Sequence, residues 1–438
     1  MAMHPMNPVD AAWYHMDGPA NPAIVTAVAI TRRPLDVDRV RRDVQKRLLR
    51  FDRFRQRVVQ PSALTTPMWE DVPDFDLDAH LVHVALSASG GEAALRSLVA
   101  GLASLPLDHR RPLWQAHVID NVQGGSAFVM RYHHCIGDGT AMMTVAAKLF
   151  DMPRHPVRPR ARPAASAQPS VIDTAMLLAG EAGAVLSDLA KWPDPASPFK
   201  GEFGTRKSVA WSLPVPIDTV KAIGAPTGAK VNDVLVAALS GALRSYLRRR
   251  GAEPDDTTLR AMVPIDLRTT ASAGELGNAF GLVILDLPVS ATTPAARLAR
   301  TKAGMDALKA SAEAPAMQRL LDLFGRGPKA LEDIACDIFG SKASLVLTNV
   351  KGPGERILLA GAPVDRLMFC VPHPGQQIGL GASIMSYHGM ATLTIVADAG
   401  LVPDPQVITQ AFNREVAAMG RKSQRPRRTI DLGPGATP

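Results

Sequence analysis

The sequence predicts an α/β protein organised in two halves. Strand-like and helix-like segments alternate up to residue 151, and a second alternating series occupies residues 206–420. Between the halves, we expect residues 152–205 to be a basic, proline-rich linker followed by an apolar helix, and residues 421–438 to be a basic, flexible tail. The 438 residues, 46% hydrophobic and 21% charged, are enough for two domains with sizeable cores.

The first half contains strands, helices and one unusual polar segment. Its β-rich stretches predict strands at 23–30, 114–120 and 126–134, the last two joined by a turn at 121–125. Helical spacing of apolar residues predicts helices at 36–51, 92–105 and 140–150. The segment Arg-Tyr-His-His-Cys-Ile-Gly-Asp-Gly, residues 131–139, therefore lies at a strand-to-helix junction.

The second half repeats the alternation. Before it, the apolar stretch 171–192 of the linker predicts a helix, packed in the core or lying on a membrane surface. Residues 231–250 predict a strong helix with cations in its last turn. Further strands are predicted at 258–265, 280–289, 343–350, 366–371, 380–388 and 391–398, and a final helix at 403–420.

Composition argues against one class of protein, and the charge distribution points to possible surfaces for binding. Aromatic residues make up only 5% of the chain, which argues against a nucleic-acid binder that stacks bases. The net charge of +8 is concentrated partly in two proline-broken basic runs, at 153–163 and 421–428. Such runs are either solvated segments or contacts for an anionic surface such as phospholipid head groups.

Cysteine usage and hydropathy indicate a compartment. Cys135, Cys336 and Cys370 are widely spaced and form no Cys-x-x-Cys pair, which fits a reducing environment. The N-terminal stretch lacks the pattern of a secretory signal, and no apolar run approaches the ~20 residues that span a bilayer. We expect a cytoplasmic protein, soluble or peripheral on the inner face of a membrane.

The segment 131–139 admits four chemical interpretations. Two histidines and an aspartate suit a metal, but His133 and His134 are neighbours on a strand and face opposite sides, and no other dense ligand cluster exists. A phosphate loop is disfavoured because the Gly-Asp-Gly is too short. Cys135 lacks an activating cation in its surroundings and is expected to be a small apolar filler.

The fourth interpretation is a histidine base with a supporting aspartate. His134 lies at the end of a strand, where substrates reach it, and an imidazole pKa near ~6.5 suits proton abstraction at neutral pH. Gly137 and Gly139 allow a tight turn that folds Asp138 beneath the imidazole or towards an arginine. A satisfied core histidine is the alternative.

Residues 133–139 fit the pattern His-His-x-x-x-Asp-Gly, which is typical of the chloramphenicol-acetyltransferase-like superfamily of CoA- and carrier-dependent acyltransferases. From residue 6 to residue 419 the chain resembles the bacterial wax ester synthase/diacylglycerol acyltransferase family within it. The stretches that carry the resemblance are 6–22, 75–86, 107–120, 230–247, 260–268, 275–281 and 347–353.

The resemblance implies two chloramphenicol-acetyltransferase-like domains, each a mixed β-sheet flanked by helices, with a substrate tunnel between them. Acyl-CoA would enter from one face and a long-chain alcohol or diacylglycerol from the other, and both would meet at His134. Acyl-CoA is a substrate in this scheme, so neither a cofactor nor a metal is expected. The lipid acceptor implies contact with a membrane or lipid-droplet surface, and no nucleic acid.

The resemblance also assigns residues to the site. His134 would remove the proton of the acceptor hydroxyl, and His133 would face away and support the turn. Asp138 would organise the turn by pairing with Arg268, and Gly139 would border the substrate.

Four further positions carry two interpretations each. Asn278 would donate a hydrogen bond to the oxyanion or the substrate, or only shape a turn. Asn232 and Asp233 match an Asn-Asp motif of the family and are candidates for substrate binding, although such a pair also caps a helix. Trp114 would contact substrate or pack within its strand.

Three functions follow from these observations. The first is transfer of a fatty acyl group from acyl-CoA to a long-chain alcohol or diacylglycerol, which yields wax esters or triacylglycerol. The second is the same chemistry with another acceptor. The third is a non-catalytic protein that binds lipid or CoA, against which the presence of both His134 and Asp138 argues.

Overall fold

A computed structural model describes residues 3–62, 65–87, 91–151, 191–268, 276–309, 311, 313–326, 337–338, 340–373 and 377–423. The predicted apolar helix at 171–192 lies almost entirely outside these residues, as does most of the tail at 421–438. None of the helices described is long and apolar enough to cross a membrane.

The strands are numbered in chain order. They are β1 Met3–Pro5, β2 Ile24–Thr31, β3 Gln56–Val59, β4 Met68–Asp71, β5 Leu81–Ala85, β6 Trp114–Val122, β7 Gly125–His133, β8 Lys207–Trp211, β9 Val215–Pro216, β10 Leu259–Asp266, β11 Phe280–Leu287, β12 Leu345–Lys351, β13 Leu358–Leu359, β14 Ala362–Cys370, β15 Leu380–Tyr387 and β16 Met390–Asp398.

The α-helices are numbered in the same way. They are α1 Pro8–His15, α2 Val37–Asp43, α3 Gly91–Ser104, α4 Gly139–Leu149, α5 Ile217–Gly224, α6 Val231–Arg249, α7 Pro294–Lys309, α8 Glu313–Gly325 and α9 Gln406–Ser423.

Two mixed sheets form the body of the molecule, as predicted. The first has the order β13–β14–β2–β7–β6–β5, with β5 and β6 parallel and the other neighbours antiparallel. The second has the order β11–β10–β12–β15–β16–β8, with β9 also paired to β16, and β12 runs parallel to both of its neighbours. A small third sheet joins β1, β4 and β3.

The second half of the chain lends strands to the sheet of the first half. β14 pairs antiparallel with β2, and β13 pairs with β14, although both follow β12 of the other sheet. β14 thereby covers the edge of β2 that β7 leaves open. Apolar alternation predicts this strand but not its partner, so the sequence pattern alone assigns it to the second half.

Burial patterns explain why these elements form. Every residue of β7 is buried, which is typical of a central strand covered on both faces. α6 is buried on nearly all sides, and α9 and α7 pack against it. Asp138 caps α4 by accepting a hydrogen bond from the backbone N–H of Ala141 at 3.0 Å.

Several element boundaries differ from prediction. The helix predicted at 36–51 is α2 followed by one π-helical turn over Val44–Leu48. The strand predicted to end at His134 stops at His133, since His134 begins a short 3₁₀ turn. Several elements were not predicted: the small third sheet, strands β5, β8, β9 and β13, and helices α1, α5, α7 and α8.

Candidate active site

The segment 131–139 turns from a strand into a helix and joins the two halves there. After β7, a 3₁₀ turn covers His134–Ile136, and α4 begins at Gly139. The backbone N–H of His134 donates to the carbonyl of Ala23 at 2.8 Å. Gly137 pairs with Gly277 of the second half, and the N–H of Asp138 donates to the Gly277 carbonyl at 3.3 Å.

The two histidines face different surroundings, in keeping with their adjacent positions. The His134 imidazole stacks on the indole of Trp13, with ring centroids 3.8 Å apart and planes inclined by 14°. The ring of His133 lies 5.9 Å from the ring of Tyr14, and its Nδ1 accepts the N–H of Cys135 at 3.1 Å. Consecutive aromatic residues of α1 therefore contact consecutive histidines.

Asn278 determines which nitrogen of His134 carries the proton. Asn278 Nδ2 donates to Asp10 Oδ1 and to the backbone carbonyl of His134, both at 2.8 Å. Both partners can only accept hydrogen bonds, so the amide atom that faces them must be the nitrogen, Nδ2. The atom that lies 3.0 Å from His134 Nδ1 is therefore the amide oxygen, Oδ1. Nδ1 therefore carries the proton, and Nε2 keeps a free lone pair.

The same contacts correct one predicted role of Asn278. Both hydrogens of its Nδ2 are engaged, and its backbone N–H donates to Asp10 Oδ1 at 2.8 Å. No N–H group of Asn278 remains to stabilise an oxyanion. Its contacts orient His134 instead.

Burial keeps His134 neutral. Loss of solvent lowers its pKa to about 4, although the Asp138 carboxylate and the hydrogen bond to Asn278 oppose the shift. The imidazole is therefore uncharged across the physiological pH range. A neutral ring with its lone pair on Nε2 is the form that accepts a proton.

Arg53 contacts both Asp10 and the turn that carries His134. Burial raises the pKa of Asp10, and the Arg53 guanidinium 2.8 Å from its carboxylate opposes the shift. Arg53 also donates to the carbonyls of Cys135 and Ile136, both at 3.0 Å. Arg53 therefore ties α1 to the turn that carries His134.

Asp138 and Arg268, paired in the sequence prediction, are in contact. Arg268 donates to both carboxylate oxygens of Asp138, at 2.6 and 2.7 Å, and to the carbonyl of Gly277. Asp138 also accepts the N–H of Ala279 at 3.0 Å. The side chains are only 7% and 10% exposed, so this is a buried, multiply hydrogen-bonded pair that clamps the turn to the second half.

The glycines of the turn serve close packing. Gly137 has φ 167°, which is extended backbone, so the tight turn predicted for it is not the reason for glycine. A Cβ on Gly137 would lie 2.9 Å from Ala141 Cβ, and one on Gly139 would lie 2.9 Å from Val350 Cγ2. Gly277 is different, since its φ of +116° favours glycine outright.

His133 is enclosed on the far side of the strand. Burial lowers its pKa to about 4, although the Asp17 carboxylate opposes this. Its Nε2 lies 3.8 Å from Asp17, which His109 contacts at 3.1 Å. His133 therefore supports the turn through its bond to Cys135 and does not face the cavity beside His134.

His134 lines one of two neighbouring cavities, and together these cavities form the candidate site. The first, called here the polar-walled cavity, is lined by His134 and apolar side chains together with five polar residues: Asp138, Thr140, Asp266, Thr348 and Asn349. The second, the apolar cavity, lies against α4 and is lined by Phe128, Met130, Met142, Met143, Leu149 and Leu367 among others.

The two cavities are contiguous. Tyr132, Gly139, Val350 and Phe369 line both of them. With their open mouths included, they enclose about 850 and 730 Å³, respectively. Gly139 therefore borders both cavities.

The Asn-Asp pair divides into one residue near the cavity and one structural residue. Asn232 Oδ1 accepts from Asn349 Nδ2 at 2.7 Å, and Asn349 lines the polar-walled cavity. Asp233 is 1% exposed and accepts the N–H of Lys230 at 2.8 Å, which caps α6. Capping, the alternative interpretation of this pair, is therefore what the structure assigns to Asp233.

Trp114 also has a structural position. It is 1% exposed, and its indole N–H donates to the carbonyl of Phe54 at 2.9 Å. Its ring stacks on His80 with centroids 4.7 Å apart. It lines neither of the two cavities defined above, so the structure favours strand packing over substrate contact.

Sequence reasoning missed three residues of the site: Asp10, Trp13 and Arg53. Asp10 and Trp13 stand three apart in a short helix, so they share a face, and this spacing was the available signal. Arg53 has no local signal, because only the fold brings it to the turn.

The fold places the chain among proteins with the chloramphenicol-acetyltransferase-like fold. The structure resembles the wax ester synthase/diacylglycerol acyltransferase from Marinobacter aquaeolei VT8, with a TM-score of 0.72 and 20% identity over 96% of this chain and 99% of that one. It also resembles the first condensation domain of the calcium-dependent antibiotic synthetase, with a TM-score of 0.64 and 19% identity over 99% of each chain.

Sequence comparisons narrow the class to a family. Residues 6–194 match the wax ester synthase/diacylglycerol acyltransferase catalytic domain, and residues 276–420 match the C-terminal domain of the same family. A probable diacylglycerol O-acyltransferase of Mycobacterium tuberculosis is 30% identical over 329 residues, which cover 68% of this chain and 71% of that protein. The chain belongs to the wax ester synthase/diacylglycerol acyltransferase family.

Proposed function

We propose that this acyltransferase moves a fatty acyl group from acyl-CoA to the hydroxyl of a long-chain alcohol or a diacylglycerol, with His134 as general base. The observation that carries the proposal is the state of His134. Its proton is held on Nδ1 by Asn278, and the lone pair of Nε2 remains free in a side chain that lines the polar-walled cavity. The relatives named as diacylglycerol O-acyltransferases support the acceptor class.

The reaction follows from this geometry. Nε2 of His134 takes the proton of the acceptor hydroxyl while the hydroxyl oxygen bonds to the thioester carbonyl carbon, whose oxygen becomes negatively charged. Collapse of this intermediate breaks the carbon–sulfur bond. The protonated imidazole then returns its proton to the CoA thiolate, which leaves as the thiol. No acyl-enzyme forms, so both substrates are bound together, and the base contributes ~10²–10⁴ in rate.

The two cavities suit two kinds of substrate group. The apolar cavity is lined by aliphatic, methionine and aromatic side chains, and it fits a fatty acyl chain. The polar-walled cavity holds His134 and offers hydroxyl, amide and carboxylate groups that suit the polar reacting centre. A different acceptor with the same reacting hydroxyl, or an amine, is the second candidate function.

We also propose that the enzyme is cytoplasmic and works at the surface of a membrane or lipid droplet. Its acceptors are insoluble lipids in this scheme. The net charge of +8 and the basic runs at 153–163 and 421–428 suit an anionic lipid surface.

The test uses the purified full chain with palmitoyl-CoA and either hexadecanol or dioleoylglycerol. Thiol release and ester product are both measured. We expect turnover, and a loss of ~10²–10⁴ in kcat for His134→Ala. His83→Ala is the control, because His83 is on β5, lies outside the described cavities and pairs with Asp120.

Full activity of His134→Ala would rule out the proposed mechanism. Absence of turnover with alcohols, diacylglycerol, sugars and amines would favour the non-catalytic alternative.

A further inference from the structure

The His134 imidazole is covered on one face by an indole. Trp13 is 4% exposed, and its ring stacks on the imidazole at a centroid distance of 3.8 Å. The planes differ by only 14°, which is a parallel stack rather than an edge contact. Trp13 also forms part of the wall of the polar-walled cavity.

The stack restrains a motion that the hydrogen bond to Asn278 leaves free. One hydrogen bond at Nδ1 fixes one edge of the ring but permits the ring to tilt about that contact. The indole lies flat against one face, and Phe280 approaches with its ring centroid 6.0 Å away at 64°. These contacts together determine the direction of Nε2.

We infer that Trp13 is a positioning residue for the acyl transfer: its indole face holds the imidazole plane of His134 so that Nε2 points at the reacting hydroxyl. The inference rests on the proposed function, in which His134 is the base. Catalytic groups must be held within about 0.5 Å and 10–20° of the productive geometry, so loss of this support is costly. In this role the face of the indole ring, rather than its N–H group, holds the imidazole of His134.

The indole N–H offers a competing explanation. Within the described residues, Trp13 Nε1 is buried without a hydrogen-bond partner. If this N–H acted on substrate, a phenyl ring would not replace it. Trp13→Phe therefore separates the ring face from the N–H, and Trp13→Leu removes both.

The titration of His134 reports its surroundings independently of turnover. The titratable and charged groups around it are Asp138 with Arg268, Asp266 in the same cavity, His133, and Asp10 with Arg53 beyond Asn278. None of these is altered in the Trp13 variants. A changed midpoint therefore reports uncovering of the ring by water.

The experiment measures kcat, KM for palmitoyl-CoA and, by ¹⁵N NMR of imidazole-labelled protein, the His134 titration. Loss of its signals in His134→Ala identifies them. We expect Trp13→Leu to lower kcat about 10- to 100-fold with KM within about twofold, and to raise the titration midpoint by about one pH unit or more. Trp13→Phe should retain at least about a third of kcat.

Trp211→Leu is the matched control, because Trp211 is also 4% exposed but lies outside both cavities. We expect its kcat and the His134 midpoint to stay at wild-type values. If Trp13→Leu does not fold, Trp13→Met replaces it.

Three results would overturn the inference. The first is an equal loss of kcat in Trp13→Phe and Trp13→Leu, which would favour a role for the indole N–H. The second is a raised KM with an unchanged His134 midpoint in Trp13→Leu, which would make Trp13 only part of the cavity wall. The third is wild-type behaviour of Trp13→Leu. An active His134→Ala would instead overturn the proposed function.

Discussion

The amide of Asn278 decides which nitrogen of His134 acts as the base. It is held in one orientation by Asp10 and by the His134 carbonyl, so its oxygen can only accept the Nδ1 proton. Asp10 in turn is held by Arg53. The side chains of Arg53, Asp10, Asn278 and His134 are therefore linked in a chain, and this chain sets the tautomer of His134.

Replacing Asn278 with alanine tests this assignment. The variant lacks the acceptor for Nδ1–H, so the proton exchanges between the two ring nitrogens and the ring loses its anchor. We expect kcat to fall about 10- to 100-fold, which corresponds to the ~1–3 kcal/mol of a lost buried hydrogen bond. Steady-state kinetics with palmitoyl-CoA measure it.

Asn413→Ala serves as the control, because the Asn413 amide exchanges two hydrogen bonds with the backbone of Leu213 and lines neither of the two cavities. Equal rates for Asn278→Ala and wild type would contradict the assigned role.

At the scale of elements, one ion pair connects a helix start to a strand of the other sheet. Asp138 caps α4 and accepts from Ala279 just before β11, and Arg268 follows β10. The turn that carries His134 is therefore held by both halves. Its geometry depends on the packing between the sheets as much as on its own sequence.

Arg268→Gln breaks this connection. The Asp138 carboxylate stays buried without its cation, so we expect the free energy of unfolding to fall by about 3–5 kcal/mol. Urea unfolding at pH 7 measures the change. Arg32→Gln is the comparison, because it removes an ion pair with Asp365 in which the arginine side chain is 75% exposed. This variant should lower the free energy of unfolding by at most about 1 kcal/mol. Similar losses in both variants would refute the clamp.

At the scale of the whole molecule, buried neutral histidines make the fold sensitive to acid. Burial lowers the pKa of His117, His133 and His134 to about 4, and that of His373 to about 3. In the unfolded chain these groups titrate near ~6.5. Between these values the unfolded state binds more protons, so the free energy of unfolding decreases as pH falls.

We therefore expect stability to be full above about pH 6.5 and to decline down to about pH 4. Each of these histidines contributes up to ~1.4 kcal/mol per pH unit in this window. Urea midpoints at pH 7, 6 and 5 measure the decline. His117→Leu removes one of the four groups and should make the decline shallower, whereas an unchanged slope would show that His117 does not contribute.

Local sequence patterns alone determined the strand-to-helix junction and the separation of His133 from His134, and the resemblance of several motifs identified the family that the domain matches show. Opposite facing of strand neighbours is a property of two adjacent residues, and Asp138 lies just before a predicted helix, so neither needs long-range information. The pairing of Asp138 with Arg268 was predicted by resemblance, and the two residues are in contact.

Tertiary structure decided the rest. It placed β14 in the sheet of the first half, brought Arg53 and Asn278 to His134, and assigned Trp114 and Asp233 to packing and capping. These outcomes depend on contacts between residues far apart in the chain. A periodic pattern specifies which face of an element is buried but carries no information about which distant residue will cover it.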